Sequence, residues 1–231
     1  VTKLIIAKSK SINLLIFLMT ILPFSFKENI KERFILLIEN NPDTYSKKIM
    51  KNINNSFSIK NAEIYLQTLT HLNNPPFNFI INKLIKYNIP AKSIAKELKE
   101  HNNRYLITGE LLYYLLSSNY DKSKKVAEIL KSYNNEMLLV PLKNIIISWN
   151  NNEYIDQKYK LYFTIELIES FGQGAVDFSK YLKEIIEKSD DQWLKYYALK
   201  AYKNTAKSDE EYEKYINELD IKLVEPAKFA L

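Results

Sequence analysis

Residues 164–205 read TIELIESF, GQG, AVDFSKYLKEIIEKSDD and QWLKYYALKAYKNT. The order is the end of one helix, a glycine turn, a second helix, an acidic cap and a third helix. Gly172 and Gly174 are two of only three glycines in the chain. Glycine follows a last helical turn because it takes positive φ without a Cβ clash. After the turn, Phe178, Tyr181, Leu182, Ile185 and Ile186 recur at three–four spacing, which makes one apolar stripe. Ser189, Asp190 and Asp191 then offer cap oxygens and negative charge to the next helix start. In that helix Leu194, Ala198, Ala201, Tyr202 and Thr205 share a face.

The matching positions keep one step: 164 and 198, 167 and 201, and 168 and 202 are each 34 apart. A period of this size belongs to helical repeats. Thr164, Leu167, Ile168, Phe171, Gly172 and Ala175-Val176, followed by Asp191, Leu194, Lys195, Ala198, Ala201 and Tyr202, resemble a HEAT repeat. The likeness is to the short kind found in phycobilisome-lyase-type repeat proteins. Thr164 stands where a small apolar residue is usual, Lys195 where Arg is usual, and the turn lacks its Asp-Pro. The resemblance implies an all-α fold, a right-handed α-α superhelix (a HEAT/ARM-like solenoid) of about six helical hairpins. The competing arrangement is an ordinary helical hairpin in a closed bundle, and the shared step favours the repeat.

Outside this stretch the pattern is helix after helix. Glu28–Glu39 carries Ile30, Phe34, Ile35, Leu37 and Ile38, and Asn41-Pro42 ends it. Asp43 is the expected cap of Thr44–Asn54, and Ser58 of the helix bearing Ile64, Tyr65, Leu69 and Leu72. Asn73-Asn74-Pro75-Pro76 is a turn, followed by a stripe of Phe79, Ile80, Lys83, Leu84 and Tyr87. Phe79 and Phe178 are 99 apart, as are Leu72 and Phe171, close to three repeat steps. Pro90 opens a helix with Ile94, Ala95 and Leu98. Tyr105–Ser118, rich in leucine, is expected to be the most buried. Asp121 or Ser123 opens Val126, Ile129, Leu130 and Tyr133. Glu136–Trp149 tolerates Pro141 early in the helix. Asn150–Asn152 reads as a loop and Tyr154–Phe171 as a long helix. Ser208-Asp209 caps a last helix with Tyr212, Tyr215, Ile216 and Leu219, and a tail starts at Pro226. About twelve helices follow residue 26, with short connections, so residues 27–231 read as a single α-helical repeat domain.

Residues 1–26 differ. Lys3, Lys8 and Lys10 precede the apolar run Ile12–Leu22, and Pro23 and Ser25 break the helix. That order fits a secretory signal peptide, although no A-x-A marks a cleavage site, and the run is shorter than a bilayer span. An uncleaved membrane anchor and a buried first helix are the alternatives. The expected location is periplasmic or secreted, or anchored at the inner membrane.

Composition bounds the function. Of 231 residues, 46% are hydrophobic and 26% charged, which is enough apolar material for a packed core. So few glycines argue against β-rich and phosphate-cradling folds. With no cysteine, disulfides, thiolate catalysis and Cys-ligated zinc are excluded. The net charge is +6; the first 26 residues hold three lysines and no acid, so 6 − 3 = +3 remains beyond them, too little to imply nucleic acid. His71 and His101 stand at expected helix ends, with no metal-ligand spacing. Asp190-Asp191 and Glu210-Glu211 are explained by capping and an acidic first turn. No hydrolase, nucleotide or dinucleotide motif is present, so neither enzyme activity nor a cofactor or metal is expected.

Binding is the remaining expectation. Opposite the alanine stripe, the third helix carries Trp193, Tyr196, Tyr197 and Lys200, residue types that dominate protein interfaces. The sequence therefore reads as a non-enzymatic, exported, HEAT-like protein-binding scaffold of a bacterial envelope. Its expected partner is another protein, with membrane contact only through residues 1–26 if they are retained. One alternative is a nucleic-acid-binding HEAT-like protein similar in shape to the alkylpurine DNA glycosylases, with Trp149 and Trp193 stacking on bases. The other is a tetratricopeptide-type adaptor, suggested by YEKYINEL near the C-terminus.

Overall fold

A computed structural model describes residues 1–54, 58–150 and 158–219. The described residues are all-helical, without a strand. The α-helices are α1 (Thr2–Lys8), α2 (Ile12–Ile21), α3 (Lys27–Asn40), α4 (Pro42–Asn54), α5 (Ile59–Leu69), α6 (Phe77–Lys86) and α7 (Ala91–Lys99). They continue with α8 (Arg104–Ser117), α9 (Tyr120–Tyr133), α10 (Leu139–Asn150), α11 (Lys158–Ser170), α12 (Ser179–Lys188), α13 (Gln192–Thr205) and α14 (Asp209–Glu218). Short 3-10 stretches precede α3, α10 and α12. Twelve α-helices therefore follow residue 26 among the described residues. The proposed start of the long helix at Tyr154–Gln157, the Asn151-Asn152 loop and the tail from Pro226 lie outside them.

The chain forms two compact units, Val1–Leu111 and Leu112–Leu231. In the first, α5 packs against α3 and α7, while α1, α2 and α4 pack on α3. Phe34 meets Tyr65 with ring centroids 5.6 Å apart, and burial pushes the Tyr65 hydroxyl up to about 12. Three helices are tied by one polar group. Glu97 of α7 accepts from Lys31 of α3 at 2.9 Å and from His71, just beyond α5, at 3.0 Å. Burial would raise the Glu97 carboxyl, but the His71 and Lys31 hydrogen bonds prevail and hold it below its ordinary value. His101 is buried and donates from Nε2 to the Leu72 carbonyl at 2.9 Å, while its Nδ1 accepts from the Asn103 N–H. His71 thus joins a loop to a helix, and His101 joins two loops.

In the second unit α11 packs between α9 and α13, and α12 packs on α13. Among the positions 34 residues apart, Thr164, Leu167 and Ile168 on α11, and Ala198, Ala201 and Tyr202 on α13, are all buried. Ala198 and Ala201 let the two backbones approach closely. Gly172 takes the expected left-handed conformation at φ +51°, whereas Gly174 does not. Gln173 donates to the Ala206 carbonyl and Ser179 to the Thr205 carbonyl, fastening the turn to the end of α13.

The local chemistry moves several expected boundaries. Asn41, not Asp43, caps α4, accepting from the Thr44 N–H, while Asp43 sits in the first turn. Asn119, not Asp121 or Ser123, caps α9, and the buried Ser123 hydroxyl donates to the Leu115 carbonyl. Residues Gly172–Phe178 are 3-10, with a kink at Ala175, so α12 starts at Ser179. α6 buries Phe77, Ile80, Ile81 and Leu84. Phe79 and Tyr87 stay half-buried against the Lys83 ammonium, so Phe79 is no equivalent of the buried Phe178. α8 is not the most buried helix: Tyr105 and Tyr113 are exposed, while α5 buries Ala62, Ile64, Tyr65, Leu66 and Leu69. Ser58, Asp191 and Ser208 cap α5, α13 and α14 as expected.

Candidate protein-binding face

The four residues singled out on α13 divide by environment. Trp193 is 53% exposed, in the first turn, whereas Tyr196, Tyr197 and Lys200 are half-buried. Trp193 and Tyr196 meet edge-on at 6.0 Å, and Tyr196 and Tyr197 at 5.2 Å. Tyr197 stacks on Tyr162 of α11, centroids 5.3 Å apart and planes 27° from parallel. Tyr197 therefore packs on the neighbouring helix and joins the rings of α13 to Tyr162 of α11. Lys200 is held by Glu169 of α11 at 3.2 Å. Burial opposes its charge, but the Glu169 carboxylate prevails and raises its pKa.

A second aromatic cluster spans α9 and α11. Tyr120, at the start of α9, lies 5.6 Å from Tyr159 and 5.5 Å from Phe163 of α11. Rings from α9, α11 and α13 thus surround a groove of about 340 Å³, with Tyr120, Phe163 and Tyr197 among its walls and Ala127 and Leu167 below. Lys124, Lys131, Glu128 and Glu166 also line it, giving both signs of charge.

Asp191 positions the start of α13. One carboxylate oxygen accepts from the Trp193 and Leu194 N–H groups at 2.9 and 3.2 Å. The other accepts the Tyr162 hydroxyl at 2.9 Å and faces Lys158 at 3.1 Å. Burial would raise the Asp191 carboxyl, but Lys158, Tyr162 and the Leu194 N–H together lower it. The Tyr162 hydroxyl is raised in turn, by burial and then by its bond to Asp191. A helix cap and an inter-helix hydrogen bond thereby fix the start of α13 and the Tyr162 ring at once.

Sequence reading found Trp193, Tyr196, Tyr197 and Lys200 because they share one helix. It missed Tyr120, Tyr159, Tyr162 and Phe163. The available signal was the 35-residue step from Tyr162 to Tyr197, the spacing that juxtaposes α11 and α13. Trp149, offered as a second stacking residue, is half-buried on α10, which carries neither cluster. YEKYINEL falls on α14 and its end, where Tyr212 and Tyr215 pack on Tyr202 at 5.7 and 5.1 Å. No group of three or more His, Asp or Glu side chains that could hold a metal occurs among the described residues. No family model, curated protein or solved structure matches the chain.

Proposed function

We propose that the chain is a non-enzymatic binding scaffold of HEAT-like helix pairs. Its C-terminal unit takes a segment of a protein partner across α9, α11 and α13. The observation that carries this reading is a pair of aromatic clusters, Tyr120–Tyr159–Phe163 and Tyr162–Tyr197–Tyr196–Trp193, whose Tyr120, Phe163 and Tyr197 line one groove. Tyr and Trp offer large, stiff, amphipathic contact area at low entropy cost. The shared 34-residue step between α11 and α13 supports the repeat reading, and a right-handed superhelix extends it to the full chain. The basic start and apolar run of residues 1–26 support a bacterial envelope setting.

The nucleic-acid alternative is disfavoured by the charges on this face. Lys158 is paired with Asp191 and Lys200 with Glu169, and Glu128 and Glu166 line the groove. Phosphate binding needs cations in excess. A photoreactive residue at position 193 of the full chain, in its native cells, is expected to cross-link a protein, and one at exposed position 180 is not. Equal cross-linking from both positions would remove the proposal. Tight, salt-sensitive binding to duplex DNA would restore the alternative.

A further inference from the structure

α2 is apolar on two faces. Ile12, Leu15 and Met19 are fully buried, in the helix that packs on α3. Leu14, Phe17 and Ile21, at i, i+3 and i+7, are exposed, and at 100° per residue they fall roughly opposite the buried three. Phe24, three residues past the end of α2, is 63% exposed, and Leu4 and Ile5 of α1 are exposed as well. A soluble helix normally turns its second face polar, and a contiguous exposed apolar patch marks a contact surface. The charge within residues 1–26 is of one sign. Lys3, Lys8 and Lys10 are exposed, residues 1–26 contain no acid, and Lys60 of α5 sits 5.0 Å over the Phe24 ring. No helix among the described residues is long and apolar enough to cross a membrane.

We propose that α1 and α2 form an in-plane docking surface for an anionic lipid membrane. Leu14, Phe17, Ile21 and Phe24 enter the headgroup–acyl boundary, and Lys3, Lys8 and Lys10 engage lipid phosphates. Ile12, Leu15 and Met19 keep the element on the body of the first unit. A second protein would be expected to meet these lysines with its own carboxylates, and a second copy would bring like charge against like. An anionic bilayer satisfies both the apolar face and the cations. The inference rests on residues 1–26 being retained and not on the groove of the second unit.

The test uses the full chain and two vesicle types, zwitterionic phosphatidylcholine alone or with a quarter anionic phosphatidylglycerol. Phe17→Trp should give a blue-shifted emission, quenched by brominated acyl chains, with the anionic vesicles only. Replacing Lys3, Lys8 and Lys10 with Gln should weaken vesicle affinity on the order of a hundredfold. Phe17→Ser should weaken it at least tenfold, and Trp193→Ala should leave it unchanged. All these positions are exposed, so an unchanged helical circular dichroism spectrum confirms folding. No emission shift, or loss with the lysine variant but not with Phe17→Ser, would overturn the proposal. So would a Phe17-dependent self-association without vesicle binding. Failure at position 193 with intact vesicle binding would instead strike the protein-binding reading.

Discussion

Replacing Glu97 with Gln should destabilise the first unit by about 2–3 kcal/mol at neutral pH. The Glu97 side chain is only 10% exposed and accepts from Lys31 and His71, at 2.9 and 3.0 Å. Hydrogen bonds to charged groups contribute about 1.5–3 kcal/mol each. Gln keeps the shape and can still accept from Lys31, but it loses the charge and presents an NH₂ to one donor. Lys31 retains Glu28 at 2.6 Å, but that carboxylate is 65% exposed, and an exposed pair offsets at most about 1 kcal/mol. The Glu97 carboxyl lies below its ordinary 4.5 in the folded protein, because the His71 and Lys31 bonds outweigh burial. The unfolded state therefore binds the proton more readily. The carboxylate's contribution is complete above 4.5 and is lost as pH falls through the lower folded value. Urea unfolding followed by circular dichroism should show the full gap between the two proteins at pH 7, narrowing only as pH falls below 4.5. A double-mutant cycle with Lys31→Met should give a coupling of at least about 1 kcal/mol. Coupling below about 0.5 kcal/mol, with parallel pH profiles, would refute the view that this group clamps α3, α5 and α7.

Other perturbations test single features. Gly172→Ala should cost about 1–2 kcal/mol because φ is +51° there. Gly174→Ala should be neutral or stabilising by up to about 1 kcal/mol, since a Cβ there meets nothing within 4 Å; thermal unfolding of both variants decides. Asp191→Ala should cost about 2 kcal/mol and Asp191→Asn less than about 1, because the amide oxygen still caps α13. The Asp191 contribution is present above its ordinary 3.8 and disappears as pH falls through the lowered folded value, which acid titration of the variants measures. The Thr108 hydroxyl is buried without a hydrogen-bond partner, so Thr108→Val should stabilise by up to about 2 kcal/mol; a clear loss in thermal unfolding would contradict this.

Helix periodicity made most of this architecture legible. Val126, Ile129, Leu130 and Tyr133, or Ile94, Ala95 and Leu98, sit on one face at 3.6-residue spacing, and burial follows that face. Thr164 and Ala198, 34 apart, are both buried, as their place on the apolar faces implies. Capping was harder, because Asn41 and Asp43, or Asn119 and Asp121, offer the same oxygen two residues apart. Only backbone geometry chooses between them. The α8 leucines misled because composition reports how apolar a segment is, not whether Tyr105 and Tyr113 on the same helix find cover. The candidate face was half legible. Trp193, Tyr196, Tyr197 and Lys200 share one helix, but Tyr120, Tyr159 and Phe163 join them only through the packing of α9 on α11 and α11 on α13.

The aromatic groove as a protein-binding site is tested most directly by peptides tiling whatever protein cross-links from position 193. Binding to the full chain carrying Trp149→Phe would be followed by the emission of Trp193 alone. One peptide is expected to shift that emission saturably, and Trp193→Ala, measured by anisotropy of the labelled peptide, should weaken it at least about tenfold. Peptides that bind without changing Trp193 emission, and equally well to the Trp193→Ala chain, would contradict the account.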